Sequence, residues 1–379
     1  MIHWRGHAAA RVESTQSFPW RRRIAHVFLF SRKYSCGVWT MKQILIHIAV
    51  IFLFVSSVAF APADNGQVVV YTALDREYSE PILKQFEEKT GITVKPVYDA
   101  ESVKTVGLVN RLLAEKQRPR CDVFWNNEII RSIQLKKEGL TTAYDSPNAK
   151  DIPAAMKDAD HHWTGFAARA RVLLINKKML PDEKAWPANV EDLSDPKWNK
   201  RAAFSKPLFG SMSTHAAVIW AGAGPEKSQK FWDGAFKNAV MVDGSAQVRD
   251  AVVAGEVAWG LTDSDDAHGA VEDGAPVAIV YPKTDPSGPG TMCFPNTLVL
   301  IKDSPNPDNG KKLIDFLLSP EIEKGLAASR SAQIPLHSGL APPKGIPDLK
   351  PEQILKVDWE KTYQSLATSA KYLRGRLNE

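Results

Sequence analysis

Cysteine is scarce in this chain of 379 residues: Cys36, Cys121 and Cys293 are the only three. Cysteines so isolated do not make a metal-ligand set. His161-His162, His215, His268 and His337 are scattered, with none at the spacing of a helical zinc pair. A G-x-S-x-G nucleophile elbow, a G-x-x-x-x-G-K phosphate loop and a dinucleotide fingerprint after a strand are all missing, which removes the common motif-bearing enzyme classes. Internal repeats and low-complexity stretches are absent too. Beyond residue 61 no apolar run is long enough to span a membrane.

The N-terminus does hold one long hydrophobic run. Lys42 precedes an uncharged stretch from Ile44 to Phe60, and Ala59-Phe60-Ala61 supplies a small-x-small cleavage pattern, so residues 41–61 read as a secretory signal peptide. The run has 17 residues, short of the roughly 20 that a stable span requires. Residues 1–40, rich in Arg and Trp without periodicity, read either as a start-site artefact upstream of Met41 or as a long n-region. This segment also distorts the charge. The whole chain carries +5, but residues 1–61 hold eight Lys/Arg against one Glu, leaving 40 bases against 42 acids in the exported part. A nucleic-acid partner therefore has no electrostatic support. In an oxidising compartment Cys121 and Cys293 have two readings, a disulfide or two small buried strand residues.

The 318 residues from Pro62 onward suffice for two domains of about 100–200 residues each. From Gln67 the pattern alternates strand and helix: Val68 to Tyr71, a stripe through Tyr78, Ile82, Leu83 and Phe86 stopped by Gly91, Ile92 to Val94, a helix face through Val103, Val106, Val109 and Leu112, then Asp122 to Trp125. Such alternation predicts an α/β domain with a mostly parallel sheet. Gly165 to Ile175 is too long for an average strand and reads as a crossover between lobes. A second α/β unit follows, with helices opening near Ser211 and at Pro225, strands at Val240 to Val242 and Val257 to Leu261, and a helix through Val248 and Val252. The Pro/Gly-rich loop Pro282 to Gly290 is a candidate second crossover. A last amphipathic helix is expected within 350–379, carrying Ile354, Leu355, Trp359 and Leu366.

In open α/β sheets ligands bind beyond the carboxyl ends of the strands. This directs attention to Tyr71 and Thr72, to Trp125 and Asn127, to Ser211, Ser213 and Thr214, and to Asp263, Asp265 and Asp266. Three carboxylates within four residues repel one another unless a cation or a helix start lies beside them. They read either as caps or as oxygen ligands for a hard cation, with Tyr71 as a phenolate supplement. Ser211 to Thr214 suits an anion at a helix start, or a plain N-cap. Arg169 and Arg171, two apart on a strand, share a face and read as an anion clamp or an interlobe salt bridge.

Val69-Val70-Tyr71-Thr72, Phe86-Glu87 with Thr90-Gly91-Ile92, Arg169-Ala170-Arg171-Val172, Asp192 to Trp198 and Ala254-Gly255-Glu256 together resemble the family 1 extracellular solute-binding proteins, especially their ferric-ion-binding branch. The resemblance covers nearly all of residues 66–340. It implies a type II, two-lobed periplasmic binding protein fold with interlobe crossover strands, 66–165 plus 282–345 forming one lobe and 166–281 the other. It also implies a periplasmic, monomeric protein that is not an enzyme, has no resident cofactor, and closes on a small ligand for delivery to an ABC permease and its ATPase. Asn296 joins the expected site near the return crossover. The ferric relatives carry adjacent tyrosines just after the strand that here ends at Leu261, where this chain has Asp265 and Asp266. The leading expectation is Fe(III) or a ferric complex held by Tyr71, Asp265 and Asp266, with a synergistic anion. The alternative is an organic zwitterion or cation such as an aminoalkylphosphonate, thiamine or a polyamine. An exported metal-dependent hydrolase using the paired aspartates is the distant third, and chemoreception shares the fold with import.

Overall fold

Strand β1 (Gln67–Thr72) has no polar face to turn to water: Val68 and Val70 enter one hydrophobic cluster, Tyr71 enters another and Val69 packs at its edge. A parallel strand covered by helices on both sides requires this. In the computed structural model, which describes residues 66–99 and 105–378, β1 pairs in parallel with β2 (Thr93–Tyr98) and β3 (Val123–Asn126). Helix α1 (Arg76–Thr90) covers one face through Ile82, Leu83 and Phe86 and ends where Gly91, at φ 70°, donates its N–H to the Glu87 carbonyl. Only a residue tolerant of the left-handed region closes a helix this way without strain. Helices α2 (Val106–Ala114) and α3 (Ile130–Lys137) cover the opposite face through Leu108, Leu112, Ile130 and Ile133. The signal-peptide reading and Val103 lie outside the described residues.

After the short β4 (Thr141–Thr142), the expected long strand is present as β5 (Thr164–Asn176), buried along all thirteen residues. Its first half pairs antiparallel with β12 (Cys293–Ile301), and its second with β8 (Trp259–Asp263) and β9 (Val277–Val280). The remaining elements of this part are β6 (Ala202–Ser205), α4 (Gly210–Ala223), α5 (Pro225–Asn238), β7 (Val240–Val242), α6 (Ser245–Ala254) and α7 (Ser264–Glu272). The ten-stranded sheet runs β2-β1-β3-β12-β5-β8-β6-β7, with β4 on β12 and β9 on β5. Each outer triplet is parallel, whereas β5 and β12 run antiparallel to their neighbours in the middle. One sheet is thus shared by two α/β halves, each with hydrophobic clusters on both faces.

The loop from Pro282 to Gly290 is not a crossover. It folds as a hairpin of β10 (Thr284–Asp285) and β11 (Gly288–Pro289), held by the buried pair His215 Nε2 to Asp285 Oδ2 at 2.5 Å. Cys121 and Cys293 are both buried free thiols, one in the first half's cluster and the other in the second's. Burial raises both thiols, Cys293 to about 12. Helices α8 (Pro307–Leu317) and α9 (Pro320–Ala328) complete the cover over β1 and β3.

The final helix, α10 (Trp359–Leu377), begins later than the sequence pattern suggests. Ile354 and Leu355 are extended, because Leu355 N donates to the Thr291 carbonyl at 2.9 Å and Thr291 N to that of Gln353 at 2.8 Å. The true start is Asp358, whose side chain accepts from Lys361 N. Leu366 enters the first half's core and Leu373 the second's, so α10 is a strap across both. Lys137–Glu360 at 2.7 Å fastens one end and Arg376–Asp233 at 3.0 Å the other. Leu373→Ala, at a fully buried position, is expected to lower the unfolding free energy by about 2–5 kcal/mol in urea titrations. A loss below about 0.5 kcal/mol would mean the strap lies outside the cooperative unit.

Candidate functional site

Four helices begin around one cavity of about 360 Å³, in the crevice at the carboxyl ends of the parallel strands. The starts of α1, α4, α6 and α7 contribute Asp75, Ser211, Ser245 and Asp263 respectively. A helix start presents unsatisfied N–H groups and a positive partial charge. Two of the four bring their own compensation: Glu77 lies in the first turn of α1, and Asp265 and Asp266 in that of α7. The other two, α4 behind Phe209 and α6 behind Gly244, have neither a side-chain cap nor an acidic first turn. Helix α4 is also buried on 11 of its 14 residues, so it is an internal helix with its start at the cavity.

Asp263 closes β8 and stands at the N-cap position of α7, where its side chain makes no capping bond. Its Oδ1 accepts from Arg171 Nη1 at 2.5 Å, its Oδ2 from Ser211 Oγ at 2.7 Å, and Arg169 Nη1 lies 3.6 Å away. Burial by itself raises this carboxyl, but Arg171 and Arg169, with the Ser211 bond, outweigh it and hold the group below the usual carboxylate range. Asp265 is placed differently. Its Oδ2 accepts from Arg169 Nη1 at 3.1 Å, while its Oδ1 is buried without a hydrogen-bond partner. Burial raises Asp265, and the neighbouring Asp263 and Asp75 add repulsion that Arg169 does not cancel. Asp266 meets Arg249 Nη1 at 3.5 Å. Oxygen atoms of the three aspartates lie within 4.8 Å of one another.

Of the residues singled out from sequence, the cavity wall brings together Asn127, Arg169, Ser211, Asp263, Asp265 and Asp266. Tyr71 is turned away: it packs among the α2 and α3 side chains, its hydroxyl donates to Glu115 at 2.8 Å and Arg111 stacks over its ring at 4.7 Å. Burial and Glu115 push its phenol far up, so it supplies no phenolate to the cavity. Trp125 packs against Phe166, ring centroids 5.6 Å apart, in the core on the α1 side. Thr72 Oγ1 accepts from Leu74 N, and Asn296 donates to the carbonyl of Ala167 and to Gln333. Ser213 and Thr214 lie deeper in α4, with Thr214 bonded to Glu128 across the two halves at 2.7 Å. Arg171 stands behind Asp263, and Arg169 takes the wall: it stacks on Phe294 at 5.0 Å and donates to the Asn127 carbonyl, tying the halves together at the site.

Sequence reasoning missed Tyr78, Arg249, Lys206 and Arg330 on the wall. Tyr78 was absorbed into the apolar stripe of α1, yet it sits in the first turn after a strand-end loop, the position that could have marked it. Burial and its bond to Glu77 raise its phenol. Arg249 lies one turn into α6, and its signal was that a helix start follows β7. The two buried aspartates should respond unequally to loss of charge. Asp263→Asn strands the buried Arg171 and is expected to cost about 3–5 kcal/mol. Asp265 is raised above its unfolded value by burial and by its aspartate neighbours, so its charge contributes less to the folded state, and Asp265→Asn should cost clearly less although Arg169 loses a charged partner at 3.1 Å. Melting curves at pH 7 rank the two, and an equal or larger loss for Asp265→Asn would contradict the electrostatic reading.

The chain resembles known proteins along most of its length. It is 24% identical to iron uptake protein A1 of Synechocystis over 304 residues, covering 75% of this chain and 81% of that one. It is 26% identical to a Salmonella typhimurium periplasmic protein named for 2-aminoethylphosphonate binding, over 301 residues, with 76% and 85% covered. Iron-bound HitA of Pseudomonas aeruginosa superposes with a TM-score of 0.74 at 23% identity, over 82% of this chain and 98% of that one. The fold is therefore the two-lobed type II periplasmic binding protein fold. Residues 131–365 match the bacterial extracellular solute-binding proteins, and the chain belongs to that family.

Proposed function

We propose that this protein is the periplasmic capture component of an ABC importer and that its cargo is a small organic zwitterion, an ammonium group joined to a phosphonate or similar oxyanion. The observation that carries this reading is that one cavity wall offers partners for both signs of charge. The starts of α4 and α6, with Arg249 and with Lys206 paired to Asp243 at 2.7 Å, give it N–H donors for an oxyanion. On the same wall, the bare buried oxygen of Asp265 and the nearby Glu77 and Tyr78 suit a group rich in N–H donors. A volume of about 360 Å³ lies within the roughly 300–1,000 Å³ of small-molecule sites. The relative named for 2-aminoethylphosphonate supports the same cargo class. Walls from both halves allow the ligand to favour a closed shape, which the permease then reads.

A ferric cargo is the second reading, favoured by the close aspartate oxygens and by the relatives named for iron. Against it, Asp263 is engaged by Arg171 and Asp265 by Arg169, so much of the negative charge a trivalent ion would need is already neutralised within the protein. Tyr71 is also out of reach. A thermal-shift screen of the chain from Pro62 against 2-aminoethylphosphonate, ferric citrate, thiamine and spermidine tests the assignment. A ligand at 100 times its dissociation constant adds about 2.7 kcal/mol. The phosphonate is expected to raise the melting temperature and to be recovered intact. A shift with ferric citrate alone, abolished by chelator, would overturn the zwitterion in favour of iron.

A further inference from the structure

Strand β5 passes from one half of the sheet to the other through Ala167, whose φ of 44° lies in a region that non-glycine residues seldom enter. Pairing with β12 slips there. Pro295 faces Ala168 and Asn296 faces Phe166, so Ala167 has no partner in the ladder. A one-residue bulge reverses the side of the sheet that every following side chain takes. Beyond it Ala170, Val172 and Leu174 enter one cluster and Leu173 and Ile175 the other. Arg169 and Arg171 are in phase with Leu173, and this phase is what brings them to Asp263 and Asp265.

The backbone groups of Ala167 are satisfied elsewhere. Its N–H donates to Oε1 of Glu323, from α9, at 2.6 Å, and its carbonyl accepts from Asn296 Nδ2 at 2.5 Å. Glu323 is fully buried. It also accepts from Leu336 N at 3.0 Å and His337 N at 2.9 Å, and lies 2.7 Å from His337 Nδ1, while His337 Nε2 meets the Asn148 carbonyl at 2.9 Å. A carboxylate withdrawn wholly from water is expensive, and this one does not line the ligand cavity.

We propose that Glu323 is a positioning residue for ligand binding: by holding the bulge at Ala167 in its strained conformation, it sets the phase of β5 and thereby aims Arg169 at the cavity. The proposal rests on Arg169 forming the cavity wall and does not depend on which cargo is carried. Strain held at one residue by surrounding bonds is released when a bond is removed, so the effect should travel along the strand to a side chain Glu323 never touches.

The test compares Glu323→Ala and Glu323→Gln, each with and without Ala167→Gly, by three readouts. The first is the Arg169 Nε–Hε resonance in ¹⁵N-labelled unliganded protein, assigned with Arg169→Lys, since this nitrogen is buried without a hydrogen-bond partner. The others are affinity for 2-aminoethylphosphonate and the melting temperature. In Glu323→Ala the resonance should move and affinity fall about tenfold or more. Ala167→Gly, which enters the same backbone region freely, should return both while the melting temperature stays low. Should Glu323→Ala not fold, the Glu323→Gln pair carries the same comparison. An Arg169 resonance unmoved in the folded Glu323 variants, beside a lowered melting temperature, makes Glu323 a stabiliser only and overturns the proposal. Failure of the phosphonate to bind the parent protein counts against the zwitterion cargo, and the resonance alone then decides the role of Glu323.

Discussion

The second half of this protein is organised around a guanidinium that water cannot reach. Arg171 is fully buried, and taking its charge out of water costs several kcal/mol unless partners surround it. Asp263 supplies the opposite charge, with Ser211 at 3.3 Å, Ser245 at 3.4 Å and the Leu261 carbonyl at 3.4 Å around the same guanidinium. These partners come from β8, α4 and α6, so one buried cation fixes where three elements end or begin. Ser211 in turn donates to Asp263, which orients the start of α4. The shape of the cavity follows from this knot, and so does its chemistry. A carboxylate engaged by Arg171 and Ser211 has little left to offer a metal ion.

The alternation of strands and helices was legible because each parallel strand here is a short apolar run bounded by turn residues, and each helix has a stripe at the helical period. Strand ends could be found as well, and five of the residues picked there line the cavity. What could not be read was the side each strand-end residue faces. β1 is buried on both faces, so its pattern carries no alternation to distinguish Tyr71 from Val70. The direction of Tyr71 is set by pairing with β2 and β3, a tertiary fact. Tyr78 failed for the opposite reason, since a residue at the rim of an amphipathic stripe fits both the core and a site. Ile354 and Leu355 carry the spacing of a helix but are claimed by Thr291. A backbone ladder contact decides where local propensity is weak.

Arg169 and Arg171 show the same limit more sharply. Their shared face was visible in sequence, but the clamp and the salt bridge were equally consistent with it. The structure divides the roles by depth: Arg171 is interior support, while Arg169, two residues nearer the crossover, joins the wall and bonds to both halves. Depth along β5 depends on the bulge at Ala167, and nothing in the residues Phe166-Ala167-Ala168 signals one, since alanine is not a residue that favours φ near 44°.

The cavity is where this sequence departs from what stability alone would select. Three aspartates crowd one helix start, one of them keeps a buried oxygen without a donor, and two other helix starts are left uncompensated. Buried polar atoms without partners occur elsewhere too, among them Trp232 Nε1, Tyr281 Oη and Asn296 Oδ1. What sets the cavity apart is that several such departures, and most of them charged, meet in one concave region. The bonds within that region hold its groups in place. Asp263 is held below the usual carboxylate range by Arg171 and Arg169, with the Ser211 bond. Ser211 gives its proton to that same carboxylate. The knot around Arg171 thereby fixes the donors and acceptors of both signs that line the cavity before any solute arrives.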